Sequence, residues 1–183
     1  MLDTLALTEN ALAPRVDTGA VVIRLIRPDD ESRLAAFFRA LSPAARNRRF
    51  LAVMNDLPPA LLARFARPDN INEVALVATT SDGERESVIG EARFVVDDTR
   101  RRNAEFALVV TDTAQRSGLG ERLVRSLVRR AAAARIECLY GEVLPGNHAM
   151  LSLARKLGFR ERRDPLDPRL LRVEKCLDVL RLA

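Results

Sequence analysis

Apolar positions along the chain change their period several times, and each change marks an element boundary. Residues 20–27 (AVVIRLIR) form a mostly apolar run of strand length. Pro28, Asp29 and Asp30 follow, and these residue types open helices: Pro fits the first turn and Asp accepts its free N–H groups. Leu34, Phe37, Phe38 and Leu41 then recur at helical spacing. Ser42 and Pro43 predict the start of a second helix (AARNRRFLAV), and residues 59–66 predict a short third one. From residue 72 the pattern shifts to strand-like runs at 72–80, 87–96 and 104–110, separated by an Asp82-Gly83 turn and a polar turn at 97–103. Leu119, Leu123, Val124, Leu127, Val128 and Ala131 share one helix face. A strand at 136–144, a helix at 148–157 closed by Gly158, and two strands from Phe159 and at 170–177 complete the chain. The order β-α-α-α-β-β-β-α-β-α-β-β predicts a mixed α/β fold. Residues 20–183 make one domain, and residues 1–19, with weak patterning, are an N-terminal extension.

Composition narrows the class without identifying it. At 183 residues the chain can bury a core without disulfide or metal staples. It is basic, with a formal net charge of +5, but its basic residues are spread along the chain rather than clustered. Helix-turn-helix, finger and basic-aromatic patterns are absent, so no nucleic-acid partner is expected. With one histidine, His148, a multi-histidine metal site is excluded by count, and the two cysteines lack metal-site spacing. Both Cys138 and Cys176 lie in apolar strand-like runs, where buried thiols are expected. No leader pattern or spanning apolar stretch is visible, so a cytoplasmic protein without membrane partners is expected.

The segment Gln115, Arg116, Ser117, Gly118, Leu119 and Gly120 lies between a strand and an amphipathic helix. Its glycines permit positive φ and close backbone approach, and the unpartnered N–H groups of the new helix favour an anion. It lacks the Gly-Lys-Ser/Thr end of a P-loop and the third glycine of a dinucleotide fingerprint, where Leu123 stands. A plain strand-to-helix turn remains the alternative reading.

Q-R-S-G-L-G resembles the Q/R-x-x-G-x-G/A pyrophosphate motif of the GNAT superfamily of N-acetyltransferases. Asn147 and MLSLARKLGF resemble that family's asparagine-to-helix-to-GF segment. The resemblance covers residues 20–177 and is nearest to the acetyltransferase domain of bacterial protein lysine acetyltransferases, on LSPAARNRRF, AEFALVV and VLPGNHAMLSLARKLGF. It implies a mostly antiparallel, twisted sheet flanked by helices and a reaction in which acetyl-CoA is attacked directly by an amine. It also implies an acceptor that is a protein lysine or a small amine.

The resemblance assigns Glu105 as general base, consistent with what the chemistry needs: an ammonium must lose a proton before attacking a thioester. Leu108, Val109 and Val110 are implied to offer main-chain contacts to the cosubstrate. Residues 115–120 are implied to hold the pyrophosphate, and Asn147 the pantetheine arm, although Asn also suits a helix N-cap. Many relatives carry a tyrosine general acid where this chain has Ala154. Tyr140 is expected in the core, and Ser152 is a weak substitute. A thiol of pKa roughly 8.5 leaves without a strong acid, so the reaction does not depend on that tyrosine. A non-catalytic acyl-CoA sensor is the reading that Ala154 would favour. Arg46, Arg48 and Arg49 are expected as a solvated helix face or part of an acceptor wall, and Arg100, Arg101 and Arg102 as a charged turn. Oligomeric state, monomer or dimer, is left open.

Overall fold

The computed structural model describes residues 20–177 apart from 55, 84 and 101, so the expectations for residues 1–19 and Arg101 lie outside the described residues. The elements are β1 (Val22–Leu25), α1 (Glu31–Ala40), α2 (Pro43–Phe50), α3 (Pro59–Phe65), β2 (Glu73–Asp82), β3 (Arg85–Val96), β4 (Asn103–Val110), α4 (Leu119–Ala133), β5 (Cys138–Val143), α5 (His148–Lys156), β6 (Arg160–Arg163) and β7 (Leu171–Cys176). They follow the order predicted from the periodicity.

The seven strands form one sheet in the order β1-β2-β3-β4-β5-β7-β6. Five of its six pairings are antiparallel, and only β4 and β5 run parallel. The mixed, mostly antiparallel sheet expected from the resemblance is therefore observed. Strand alternation divides the core. Val74, Leu76, Ala78, Ala92, Phe94, Ala104 and Phe106 pack on one face with Leu119, Leu123, Val124, Leu127 and Ala131 of α4. Ala75, Val77, Val88 and Val109 pack on the other with Leu34, Phe37, Phe38, Leu41 and Phe65 of α1–α3. Phe38, Phe50 and Phe65 cluster there with ring centroids 5.7–6.3 Å apart.

Of two predicted helix starts, one follows the pattern reading and one differs from it. Ser42 caps α2 as expected, its Oγ accepting the Ala45 N–H at 3.2 Å. Asp30 does not cap α1. Its fully buried carboxylate accepts two bonds from Arg24 (2.7 Å each) and one from the Arg27 N–H (2.8 Å). The stronger charge-assisted fork wins over the cap, and it ties the end of β1 to the start of α1.

The cysteines correct an expectation. Cys138 and Cys176 oppose each other across β5 and β7, but Cys138 is half-buried and Cys176 exposed. They lie on the face that carries α1–α3, and those helices pack on β2–β4 rather than on this end of the sheet. Among the described residues no helix is long and apolar enough to cross a membrane.

Candidate active site

β4 and β5 pair over three residues only, Asn103, Ala104 and Glu105 opposite Cys138, Leu139 and Tyr140, and beyond Glu105 they part. Gly141 sits at the fork. A Cβ there would lie 2.8 Å from the Phe106 carbonyl oxygen and 3.0 Å from its ring, so the close approach requires glycine.

Alternation fixes which main-chain groups face the opening. The Thr111 N–H donates to Ile89 O of β3 at 3.0 Å, whereas Arg102 O accepts the Cys138 N–H of β5 at 3.2 Å. Odd-numbered residues of β4 thus turn to β3 and even-numbered ones to β5. Leu108 and Val110 direct their N–H and C=O groups into the gap, whereas the Phe106 N–H is still engaged by β5 in the Glu105–Tyr140 pairing. The main-chain groups of Val109 turn to β3, and its side chain is buried under α1–α3. The three candidates at the end of β4 are therefore not equivalent: Leu108 and Val110 offer backbone to the gap, and Val109 does not.

The gap widens into a cleft of about 530 Å³. Residues 105–108 and 141–143 form its floor. The end of α2, from Arg48 to Leu51, forms one wall, and Asp164, Leu166, Asp167 and Leu170 of the β6–β7 connection form the other. Asn147 and Met150 close it from α5.

Glu105 stands where the strands divide. Its residue surface reaches solvent, yet protein crowds the carboxyl. Desolvation raises its pKa above the ordinary carboxylate range; Arg49 and Arg172 oppose the shift, and Asp164 and Asp97 reinforce it. Glu142, next but one to Tyr140 on the same face of β5, is raised by desolvation and then by Glu105 and Asp164. Tyr140 is buried, as expected, with the Arg172 guanidinium 3.6 Å from its ring centroid. Neither Ala154, 1% exposed in the core, nor Ser152 lines the cleft. His148 is exposed at the start of α5.

Gln115–Gly120 turns the chain from β4 into α4. Arg116 (φ 62°) and Gly118 (φ 83°) both take the left-handed region. Ser117 Oγ donates to Ala114 O at 2.7 Å, and Gln115 Nε2 donates to Val110 O at 3.4 Å. Gly118 precedes the first turn of α4 and brings no side chain to cap it; the Leu119 N–H donates to Ser117 Oγ at 3.4 Å, and the N–H groups that follow receive no cap from Gly118. A Cβ on Gly120 would lie 3.5 Å from Leu108 and 3.4 Å from Leu153, which places the turn directly behind the β4 edge. Asn147 caps α5, its Oδ1 accepting the Met150 N–H at 3.3 Å, and it also faces the cleft. The cap consumes the amide oxygen, so a ligand would meet the amide N–H₂ donors.

A buried ionic chain underlies the α2 wall and was not singled out in the sequence. Glu91 of β3, fully buried, accepts from Arg49 Nε at 3.3 Å and from Arg93 Nε, and Arg93 also pairs with Glu73. Burial pushes the Glu91 carboxyl up, but Arg93 and Arg49 outweigh it and hold the pKa below the ordinary range. Arg93 stacks 3.7 Å from the Phe65 centroid, and Arg49 lies 5.0 Å from that of Phe50. Arg49 is therefore no part of a solvated helix face, although Arg48 is exposed. The signal was the alternation in SVIGEARFVV, which puts Glu91 and Arg93 on a face whose next members are apolar. Among the described residues no group of three or more His, Cys, Asp or Glu could hold a metal ion.

The sequence profile of the Acetyltransferase (GNAT) family matches residues 34–159. The chain is 34% identical to an acetyltransferase of Pseudomonas aeruginosa over 152 residues, 82% of this chain and 81% of that protein. It superposes on the GNAT domain of S. lividans PAT with a TM-score of 0.79 at 25% identity, covering 87% of this chain and 92% of that domain. It also has the fold of a Sinorhizobium meliloti phosphinothricin acetyltransferase solved with acetyl-CoA, with a TM-score of 0.70 at 19% identity over 86% of this chain and 88% of that one.

Proposed function

The chain belongs to the Acetyltransferase (GNAT) family, and from that premise we propose that it acetylates a protein lysine with acetyl-CoA, Glu105 acting as general base. The observation that carries this reading is the fork between β4 and β5. It brings a carboxyl of raised pKa and the Leu108 backbone to one cleft, with the glycine-bearing start of α4 packed against Leu108 at Gly120.

The start of α4, which Gly118 leaves without a side-chain cap, suits a pyrophosphate, since helix N-termini carry partial positive charge. The main-chain groups of Leu108 and the Val110 N–H suit an extended amide-bearing arm, which would add hydrogen bonds where β5 supplies none. Asn147 offers its amide donors to the same arm. A thioester carbonyl at the fork would lie against the β4 backbone, where an N–H can stabilise developing oxyanion charge.

Glu105 removes a proton from the acceptor ammonium, directly or through a water. The freed amine attacks the carbonyl carbon and the new C–N bond forms; the nitrogen then gives up its second proton to solvent, and the C–S bond breaks to release CoA thiolate. The thiolate takes its proton from solvent, since a thiol of pKa roughly 8.5 needs no strong acid at neutral pH. No covalent enzyme intermediate is needed. The raised pKa of Glu105 makes it a better base than an ordinary carboxylate.

The lysine acceptor is favoured by the resemblance of residues 41–50, 104–110 and 143–159 to bacterial protein lysine acetyltransferases. Incubation with acetyl-CoA and a panel of acyl-CoA synthetases, read by mass spectrometry for acetyl-lysine, tests it. Acetylation of defined lysines, lost with Glu105→Gln, is expected. Turnover of small amines with no modified lysine across the panel would replace the protein acceptor with a small-molecule one.

A further inference from the structure

The chain as a whole is basic, with 30 Lys and Arg against 25 Asp and Glu. The cleft reverses that balance. Glu105, Glu142, Asp164 and Asp167 line it, against Arg48 and Arg49. Arg49 is already engaged by the buried Glu91 at 3.3 Å. Asp167 is engaged too, by Arg169 at 2.7 Å. Arg172, opposite Glu142 across β5 and β7 and stacked on Tyr140, offsets Glu105 and Glu142 in part, and the remaining negative charge is concentrated on Glu105, Glu142 and Asp164.

Asp164 is the anomaly. It is 5% exposed and lines the cleft. Its Oδ1 accepts the Leu166 and Asp167 N–H groups, each at 2.8 Å, and so shapes the β6–β7 connection. Its Oδ2 is buried without a hydrogen-bond partner among the described residues. A buried carboxylate oxygen left unsatisfied is costly, and native structures seldom keep one without a use. The carboxylates do not converge on a point that could hold a metal ion. They are strung along a groove, an arrangement suited to an extended organic cation.

We propose that Glu142 and Asp164 form a subsite for a second cationic group of the acceptor, an ammonium or guanidinium neighbouring the amine that is acetylated. In a protein acceptor this group is a basic side chain flanking the target lysine. It brings a positive charge beside the buried Asp164 carboxylate and relieves the repulsion among Glu105, Glu142 and Asp164. The subsite rests on the reading of Glu105 as the residue facing the acceptor amine, because it takes its position from that residue. It explains why a basic protein keeps an acidic cleft: a doubly charged acceptor is drawn in and a singly charged amine is held less firmly.

The test is steady-state kinetics of the full chain on two matched lysine peptides, one with arginine and one with the neutral isostere citrulline beside the lysine. 1,5-Diaminopentane and pentylamine form a parallel small-molecule pair. A charge-assisted bond predicts a preference of about 10–100-fold in kcat/KM for the arginine peptide. That ratio should collapse towards one in Glu142→Gln and in Asp164→Asn, which keeps the Oδ1 contacts. Should Asp164→Asn fail to fold, Glu142→Gln alone decides. A preference confined to the diamine pair supports the cationic subsite and rejects a protein as its source. Turnover of charged and neutral members of both pairs at equal kcat/KM overturns the subsite while leaving the acetyltransferase reading intact. Binding of acetyl-CoA with no transfer to any of the four amines overturns the acceptor reading and the subsite with it.

Discussion

Glu91→Gln removes one charge from the middle of the buried ionic chain that braces the α2 wall. Glu91 is fully buried, and its partners Arg49 and Arg93 have side chains only 8% and 4% exposed. With the carboxylate neutralised, Arg93 retains Glu73, but Arg49 faces the core without its anchoring anion. Removing one member of a buried ion pair costs about 3–5 kcal/mol, because the other charge stays desolvated and uncompensated. For a domain of this size each kcal/mol lowers Tm by roughly 2–4 °C, so a fall of about 6–20 °C is expected. Differential scanning calorimetry at pH 7 reads it, with urea unfolding as a second probe. The pH dependence supplies a further check. The folded pKa of Glu91 is depressed, so its stabilisation is present above the unfolded value of about 4.3 and is lost as pH falls through the lower folded value. The gap between wild type and variant should therefore narrow below about pH 4. A Glu91→Gln protein within 1 kcal/mol of wild type at pH 7 would refute the view that these charges depend on one another.

Gly118→Ala should cost about 1 kcal/mol, since φ 83° disfavours any Cβ, and should raise the KM for acetyl-CoA. Gly120→Ala should be close to neutral in thermal unfolding, because its Cβ meets neighbours at ordinary distances of 3.4 and 3.5 Å. Gly141→Ala should force β5 away from Phe106 at the fork and lower both Tm and kcat/KM, read by calorimetry and by CoA release. In wild type, kcat/KM should fall as pH drops through the raised pKa of Glu105, because the base must be ionised to accept a proton. Arg49→Gln should move that fall to higher pH, since Arg49 is the largest influence opposing the rise.

Element order was legible because the periods were clean. The alternation of residues 72–80, 87–96 and 104–110 and the single apolar stripe of α4 each point to one structure. The glycine-bearing turn and Glu105 were legible through motif and resemblance. What the sequence hid depends on pairing across the sheet. Nothing in the residues of β4 shows that its pairing with β5 ends at Glu105, or that Phe106 comes close to Gly141 there. The bulge between β2 and β3 at Ala78/Thr79 is equally silent. Arg49 looked like one of several surface arginines, because its partner Glu91 lies 42 residues away. The acidic side of the cleft is assembled from β4, β5 and the β6–β7 connection, three segments with no shared pattern.

The central claim is that Glu105 drives acetyl transfer at the β4–β5 fork. The direct measurement is single-turnover mixing of enzyme and acetyl-CoA with a lysine peptide, following CoA release and acetyl-lysine together, in wild type and Glu105→Gln. General-base catalysis predicts matched CoA and acetyl-lysine formation in wild type, slowed roughly 10²–10⁴-fold in the variant, with acetyl-CoA binding retained. Equal rates in the two proteins, or an acetylated enzyme formed before any acetyl-lysine, would contradict it.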